Sequence, residues 1–209
     1  MMIRPDTTVL FQGDSITDAS RRRDLPLHLG NGYPAMAAAL YSSAWPQRNV
    51  TFLNRGCSGD RAANLLERLQ ADFLDIRPDV VSILIGINDC WRRYRDNDPT
   101  PADKFHSDYR EIIMRLKEEI DPLIVLCEPF VLPVPEERRL WREDLDPKID
   151  AVRALAREFD AQLVPLDGLF RGASTLRPPE FWAEDGIHPT QCGHMLIARA
   201  WLNTLGCFA

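Results

Sequence analysis

A three-layer α/β/α sandwich built on a five-stranded parallel sheet is the fold class that this sequence predicts. Three observations carry it. Short apolar runs recur as continuous stretches rather than as alternating apolar and polar residues, the pattern of strands covered on both faces. Longer segments with apolar residues three and four apart separate them, the pattern of amphipathic helices. The 209 residues contain no internal repeat and no low-complexity linker, so a single domain over 1–209 is expected to bury a core of its own.

Taken in order, the first strand is expected over 8–12 and stops at "GDSITD". A helical segment at 33–40 leads to a second strand at 50–54, followed by "NRGCSGD". Residues 60–73 read as the next helix, and the third strand, 80–85, runs into "GINDCW". Phe105, Tyr109, Ile112, Ile113, Leu116 and Ile120 form the clearest amphipathic stripe and precede a fourth strand at 123–127. A second stripe, Ile149, Val152, Leu155, Ala156 and Phe159, precedes a fifth strand at 162–165, and a last helix is expected over 191–205. Two stretches break the alternation, 129–144 with its prolines and Trp141, and 168–189 with Pro178-Pro179, Phe181 and Trp182. Long loops within a compact domain are commonly functional, and their aromatic content suits a substrate rim or a subunit contact.

In an open parallel sheet ligands bind outside the carboxyl ends of the strands, so the loops there are the place to look for chemistry. They deliver Ser15 after the first strand, Gly56 after the second and Asn88 after the third; Asp185 and His188 of "DGIHPT" come before the last helix. A serine becomes a nucleophile when a base takes its proton, and imidazole, titrating near pH ~6.5, is suited to that. Asp185, three residues before His188 across Gly186, can fold back to the other ring nitrogen and fix the tautomer. The N–H groups of Ser15 and Gly56 and the Asn88 amide can then form an oxyanion hole. Each residue has a plainer reading: Ser15 as a helix cap, Gly56 as a turn, Asn88 as a turn or cap, His188 as a surface histidine. Their arrival at one sheet edge is what favours the chemical reading. Asp14 and Asp89 are expected to hold loop N–H groups around Ser15, and His194 to pack or cap. A zinc site from His188, Cys192 and His194 has no second ligand cluster to support it.

The net charge of −6 argues against nucleic acid or an anionic membrane as the main partner. No apolar run is long enough to span a bilayer, the N-terminal residues lack the apolar core of a signal peptide, and five cysteines without CxxC spacing suggest no disulfide framework. A cytoplasmic location is the resulting expectation.

As they stand, "GDSIT", "NRGCSGD", "GIND" and "DGIHPT" occur in the order, and at about the spacing, of the signature blocks of the SGNH (GDSL) hydrolase family, which the chain resembles from about Thr8 to Leu205. The resemblance implies a flavodoxin-like three-layer fold. It also implies family roles for Ser15, Gly56, Asn88 and His188, with Asp185 completing a triad, and no cofactor or metal. "GINDCWRRY" and "HPTQCGHMLIARAWL" are most similar to bacterial carbohydrate acetylesterases of the intracellular xylan or xylo-oligosaccharide type, often oligomeric. That implies an acetylated oligosaccharide as substrate, a homo-oligomer with 129–144 as a contact region, and Trp91 and Trp182 as walls of a small acyl pocket or platforms for a sugar ring. The alternatives are a thioesterase or lysophospholipase on the same site, and a non-catalytic carbohydrate-binding or scaffold protein.

Overall fold

The computed structural model describes residues 3–207. Five strands, β1 (Thr8–Gly13), β2 (Thr51–Asn54), β3 (Val80–Leu84), β4 (Leu123–Cys127) and β5 (Gln162–Val164), form one sheet in the order β2-β1-β3-β4-β5, every neighbouring pair parallel. This is the flavodoxin-like order, whose direction of winding reverses between β1 and β3. The crevice at that reversal lies where the loops after β1 and β3 leave the sheet.

Alternate residues of each strand feed two cores. Val9 and Phe11 of β1 and Leu84 of β3 face one side, packing with Tyr33, Ala37 and Tyr41 of α2 (Tyr33–Ala44) and Ile197 and Trp201 of the last helix (Gln191–Thr204). Leu10, Val81 and Ile83 face the other, against α3 (Ala62–Glu67) and the long helices that precede and follow β4 (Ala102–Glu119 and Arg142–Glu158). Each fully buried Leu, Ile or Phe contributes roughly 1.5–3 kcal/mol, which is why continuous apolar strands with helices on both faces hold together. One polar strand residue within the first core is satisfied: Ser82 accepts the Trp201 indole N–H at 3.0 Å.

Four helices were not anticipated from the sequence. A one-turn helix, α1 (Ser15–Asp18), follows β1 directly. α4 (Ile87–Asp96) follows β3; only its first turn is buried, so its charged remainder, "WRRYRD", conceals the helical period. Counting on, α5 is Ala102–Glu119 and α6 Arg142–Glu158, while α7 (Leu166–Ala173) and α8 (Pro179–Trp182) lie in what reads as a loop, and the last helix is α9. Two glycines lower the helix propensity of α7. Tertiary contacts override that: Phe170 stacks on Phe130 with centroids 4.0 Å apart, and Arg142 clamps Asp167 at 2.5 and 3.0 Å. The segment 129–144 holds a 3₁₀ helix, Glu136–Trp141, that runs straight into α6. The expected helix over 60–73 is α3 followed by a π-type turn, Gln70–Leu74. No helix of the described residues is long and apolar enough to cross a membrane.

Candidate active site

At the end of β1 the chain turns through Asp14, whose Oδ1 accepts the N–H of Ile16 at 3.0 Å and so caps α1. Because Asp14 supplies the cap, the hydroxyl of Ser15 is released from the plain role that a serine here would otherwise fill. The Ser15 Oγ lies 3.0 Å from Nε2 of His188, 173 residues further along the chain. Nδ1 of His188 lies 2.7 Å from Oδ2 of Asp185. The other Asp185 oxygen accepts the N–H groups of Ile187 at 3.0 Å and of His188 at 2.8 Å. The loop is anchored from outside: Leu132 N–H donates to the Gly186 carbonyl at 2.8 Å, and the Arg138 guanidinium donates to the Asp185 carbonyl.

The electrostatics follow from these contacts. Burial works against ionisation of Asp185, but the hydrogen bonds from His188 and Ile187 outweigh it and hold the carboxyl below the usual carboxylate range. An ionised carboxylate only accepts, so Nδ1 carries the proton and Nε2 is left to accept from Ser15. The hydrogen bond to Asp185 and that residue's charge raise the His188 pKa above the ordinary imidazole value against partial burial. Burial pushes Asp14 up to about 7 and Asp89 up to about 6. Both act on backbone: Asp14 holds the Ile16 N–H beside Ser15, as expected, whereas Asp89 accepts the Ala62 N–H at the start of α3, at 3.2 Å.

A cavity of about 230 Å³ opens beside Ser15 and His188, with Gly59, Asn88, Trp91 and Arg92 among its walls. The Asn88 side chain is oriented by donating one N–H to the Asp60 carbonyl at 3.0 Å, which leaves its second N–H unspent.

Gly56 is a correction. Its N–H is spent on Asn54 Oδ1 at 2.8 Å, and the residue is buried under the loop after β1, where an added Cβ would come within 2.5 Å of the Asp18 nitrogen. Its lack of a side chain serves close packing of two loops rather than a ligand. The glycine at the cavity is Gly59, three residues on. It has φ +88°, a conformation that glycine adopts without strain, and its N–H makes no hydrogen bond to the described residues. The "SGD" within "NRGCSGD" was the available signal.

Trp91 lines the cavity, its ring edge-on to His188 with centroids 5.9 Å apart. Trp182 does not: it is absent from the cavity wall, packs against the first core, and accepts the Thr190 N–H on its carbonyl at 2.9 Å, supporting the turn into α9. It packs beneath its own loop. His194 is buried and accepts the Tyr33 N–H at 3.2 Å, capping α2; burial pulls it down to about 4, so it is neutral. Both ring nitrogens of His188 are engaged and Cys192 is exposed, so the zinc arrangement weighed above is not assembled. No three His, Cys, Asp or Glu side chains among the described residues could hold a metal ion together. Arg92 and Arg95, which also line the cavity, were not anticipated. With Asn88 and Trp91 they fall at i, i+3, i+4 and i+7 of α4, one helix face, a spacing visible in the sequence once that helix is granted.

The arrangement can move the Ser15 proton to His188, present a nucleophilic oxygen to a carbonyl in the cavity, and set hydrogen-bond donors around the resulting oxyanion.

Known proteins resemble the chain in sequence and in fold. Residues 11–196 match the GDSL-like Lipase/Acylhydrolase family. An acetylxylan esterase of Geobacillus stearothermophilus is 32% identical over 213 residues, covering 99% of this chain and 97% of that protein. An arylesterase of Vibrio mimicus is 27% identical, covering 90% of each. The crystal structure of Axe2, an acetylxylan esterase from Geobacillus stearothermophilus, superposes with a TM-score of 0.92 at 31% identity, covering 100% of this chain and 98% of that one.

Proposed function

Since the chain belongs to the GDSL-like lipase/acylhydrolase family and is a carboxylic ester hydrolase, we propose that it removes O-acetyl groups from a xylan-type oligosaccharide through an acyl-enzyme on Ser15. The observation that carries the roles is the hydrogen-bonded chain Ser15–His188–Asp185 at the mouth of a small cavity. Ser15 attacks the acetyl carbonyl as His188 accepts its proton. The oxyanion is held by the N–H groups of Ser15 and Gly59 and by the Asn88 amide. His188 then protonates the departing sugar hydroxyl, and water activated by the same imidazole releases acetate and regenerates the serine. Asp185 stays ionised throughout and stabilises the imidazolium.

The substrate class is supported by the acetylxylan esterase relatives. A cytoplasmic location belongs to the same proposal, as does a homo-oligomer whose contact within 129–144 is centred on Leu140, 70% exposed, and leaves residues 131–133 and Arg138 open.

A p-nitrophenyl ester series combined with acetate release from acetylated xylo-oligosaccharides tests it. Turnover should be greatest for acetate and fall with chain length; rising activity toward C8 acyl groups would replace the reading with a lysophospholipase or thioesterase. Ser15→Ala and His188→Ala should each lower kcat by a factor on the order of 10⁴ to 10⁶ while thermal unfolding stays near wild type. Absence of a serine-probe adduct on Ser15 would leave the non-catalytic binding reading in place.

A further inference from the structure

A second cavity, of about 270 Å³, lies next to the catalytic one. Its floor is the apolar segment 131–133 together with Pro179, and its walls carry four arginines, Arg138, Arg139, Arg142 and Arg171. Two of these are already paired. Arg142 is held by Asp167 and Asp146, and Arg139 meets Glu136 at 2.7 Å. The other two have no carboxylate partner among the described residues. Arg138 gives a hydrogen bond to the Asp185 carbonyl and lies over the rings of Trp141, at 4.9 Å, and Trp91, at 5.7 Å. Arg171, in the last turn of α7, makes no ion pair. In a chain of net charge −6, two guanidiniums that line one concavity and lack an ion pair are the feature to be explained, even though the charge of Asp185 acts on Arg138 and Arg171 also borders a groove with Asp146, Asp150 and Asp167.

Arg138 also ties the two cavities together. It lines the second one, and it touches both Trp91, which lines the first, and the loop that carries Asp185. A group bound in the second cavity is therefore placed to belong to the molecule whose acetyl ester sits at Ser15. Guanidinium recognises a carboxylate through paired, fork-like hydrogen bonds, and an apolar floor suits the C–H face of a sugar ring.

Building on the carbohydrate reading above, we propose that this cavity is a subsite for a carboxylate carried by the saccharide, a uronic acid substituent on the acetylated oligosaccharide, with Arg138 and Arg171 as its contacts. The enzyme then prefers acidic acetylated oligosaccharides over neutral ones of equal length.

The test compares acetate release from two acetylated xylo-oligosaccharides of one length, one bearing a single uronic acid and one neutral. The readout is the ratio of their kcat/KM values within each protein, so that a loss of folded enzyme cancels. Wild type should favour the acidic substrate by about tenfold, chiefly through KM, the size of one charge-assisted hydrogen bond. Arg171→Gln should bring the ratio toward one, Arg171→Lys should keep part of it, and about 0.5 M salt should compress it in wild type. A wild-type ratio of one or less, with both substrates hydrolysed, overturns the subsite alone, as does a preference that Arg171→Gln leaves unchanged. Turnover of p-nitrophenyl acetate with neither saccharide cleaved overturns the carbohydrate reading, and the subsite with it.

Discussion

His188 has its basicity set by two carboxylates of opposite character. Asp185 accepts from Nδ1 and stays ionised, while Asp14, buried behind Ser15, also raises the imidazole pKa through its charge. Only neutral His188 can take the serine proton, so activity is lost as pH falls through its raised pKa. The acid limb of kcat/KM should therefore sit above the ordinary value of about 6.5, and a flat profile down to pH 5 would exclude His188 as the base. Asp14→Asn, which removes the charge that Asp14 gains as it ionises near 7, should move that limb downward. The same variant bears on stability. Burial raises Asp14 to about 7, so its stabilising contribution is complete below the ordinary aspartate value and is lost as pH rises toward and through 7. Between pH 5 and 8 the unfolding temperature of wild type should fall more steeply than that of Asp14→Asn, readable by circular dichroism. Ser15, Asn88, Asp185 and His188 were singled out in the sequence by their common arrival at one sheet edge rather than by residue type, and the structure does bring them together.

The elements around the site carry its precision. The loop after β2 is gathered by Asn54, whose amide donates to the carbonyls of Thr17 at 2.7 Å and Leu29 at 2.8 Å while its oxygen accepts from Gly56. The two glycines of that loop therefore have separable duties. Gly56→Ala should destabilise the fold, since its Cβ meets backbone at 2.5 Å, and should show as a lowered unfolding temperature. Gly59→Ala meets nothing nearer than the Arg92 guanidinium at 3.7 Å and costs about 1 kcal/mol for its left-handed backbone. Its effect should fall on kcat, by up to about 10²–10³ if the N–H is turned away from the oxyanion. The reverse pattern, with Gly56→Ala stable but inactive, would restore Gly56 as the donor. α4 was missed because its outer residues are charged, and α7 because two glycines disguise it. In α7 side-chain contacts made across the fold outweigh local preference, whereas α4 only lacks an apolar period to read.

Across the whole molecule, α4 is tied to α6 by an ion pair whose carboxylate also holds a buried lysine. Lys148 is fully buried, its Nζ 2.6 Å from Asp144 Oδ2, and Arg93 of α4 meets the same carboxylate at 3.1 Å. Asp144→Ala would leave a buried ammonium unpaired and should cost about 3–5 kcal/mol in denaturant unfolding; a change under about 1 kcal/mol would mean that Lys148 finds water or another partner. The sequence by itself determined the five strands, the layered architecture and the polar groups at the strand ends, since burial on two faces and amphipathic period are written in local residue order. Only the tertiary structure decided which glycine reaches the cavity, that Trp182 supports a turn while Trp91 walls the site, and that arginines from two distant segments surround one concavity. Those outcomes depend on where side chains such as Asn54 and Arg138 turn back across the fold, and such long-range contacts have no period along the chain.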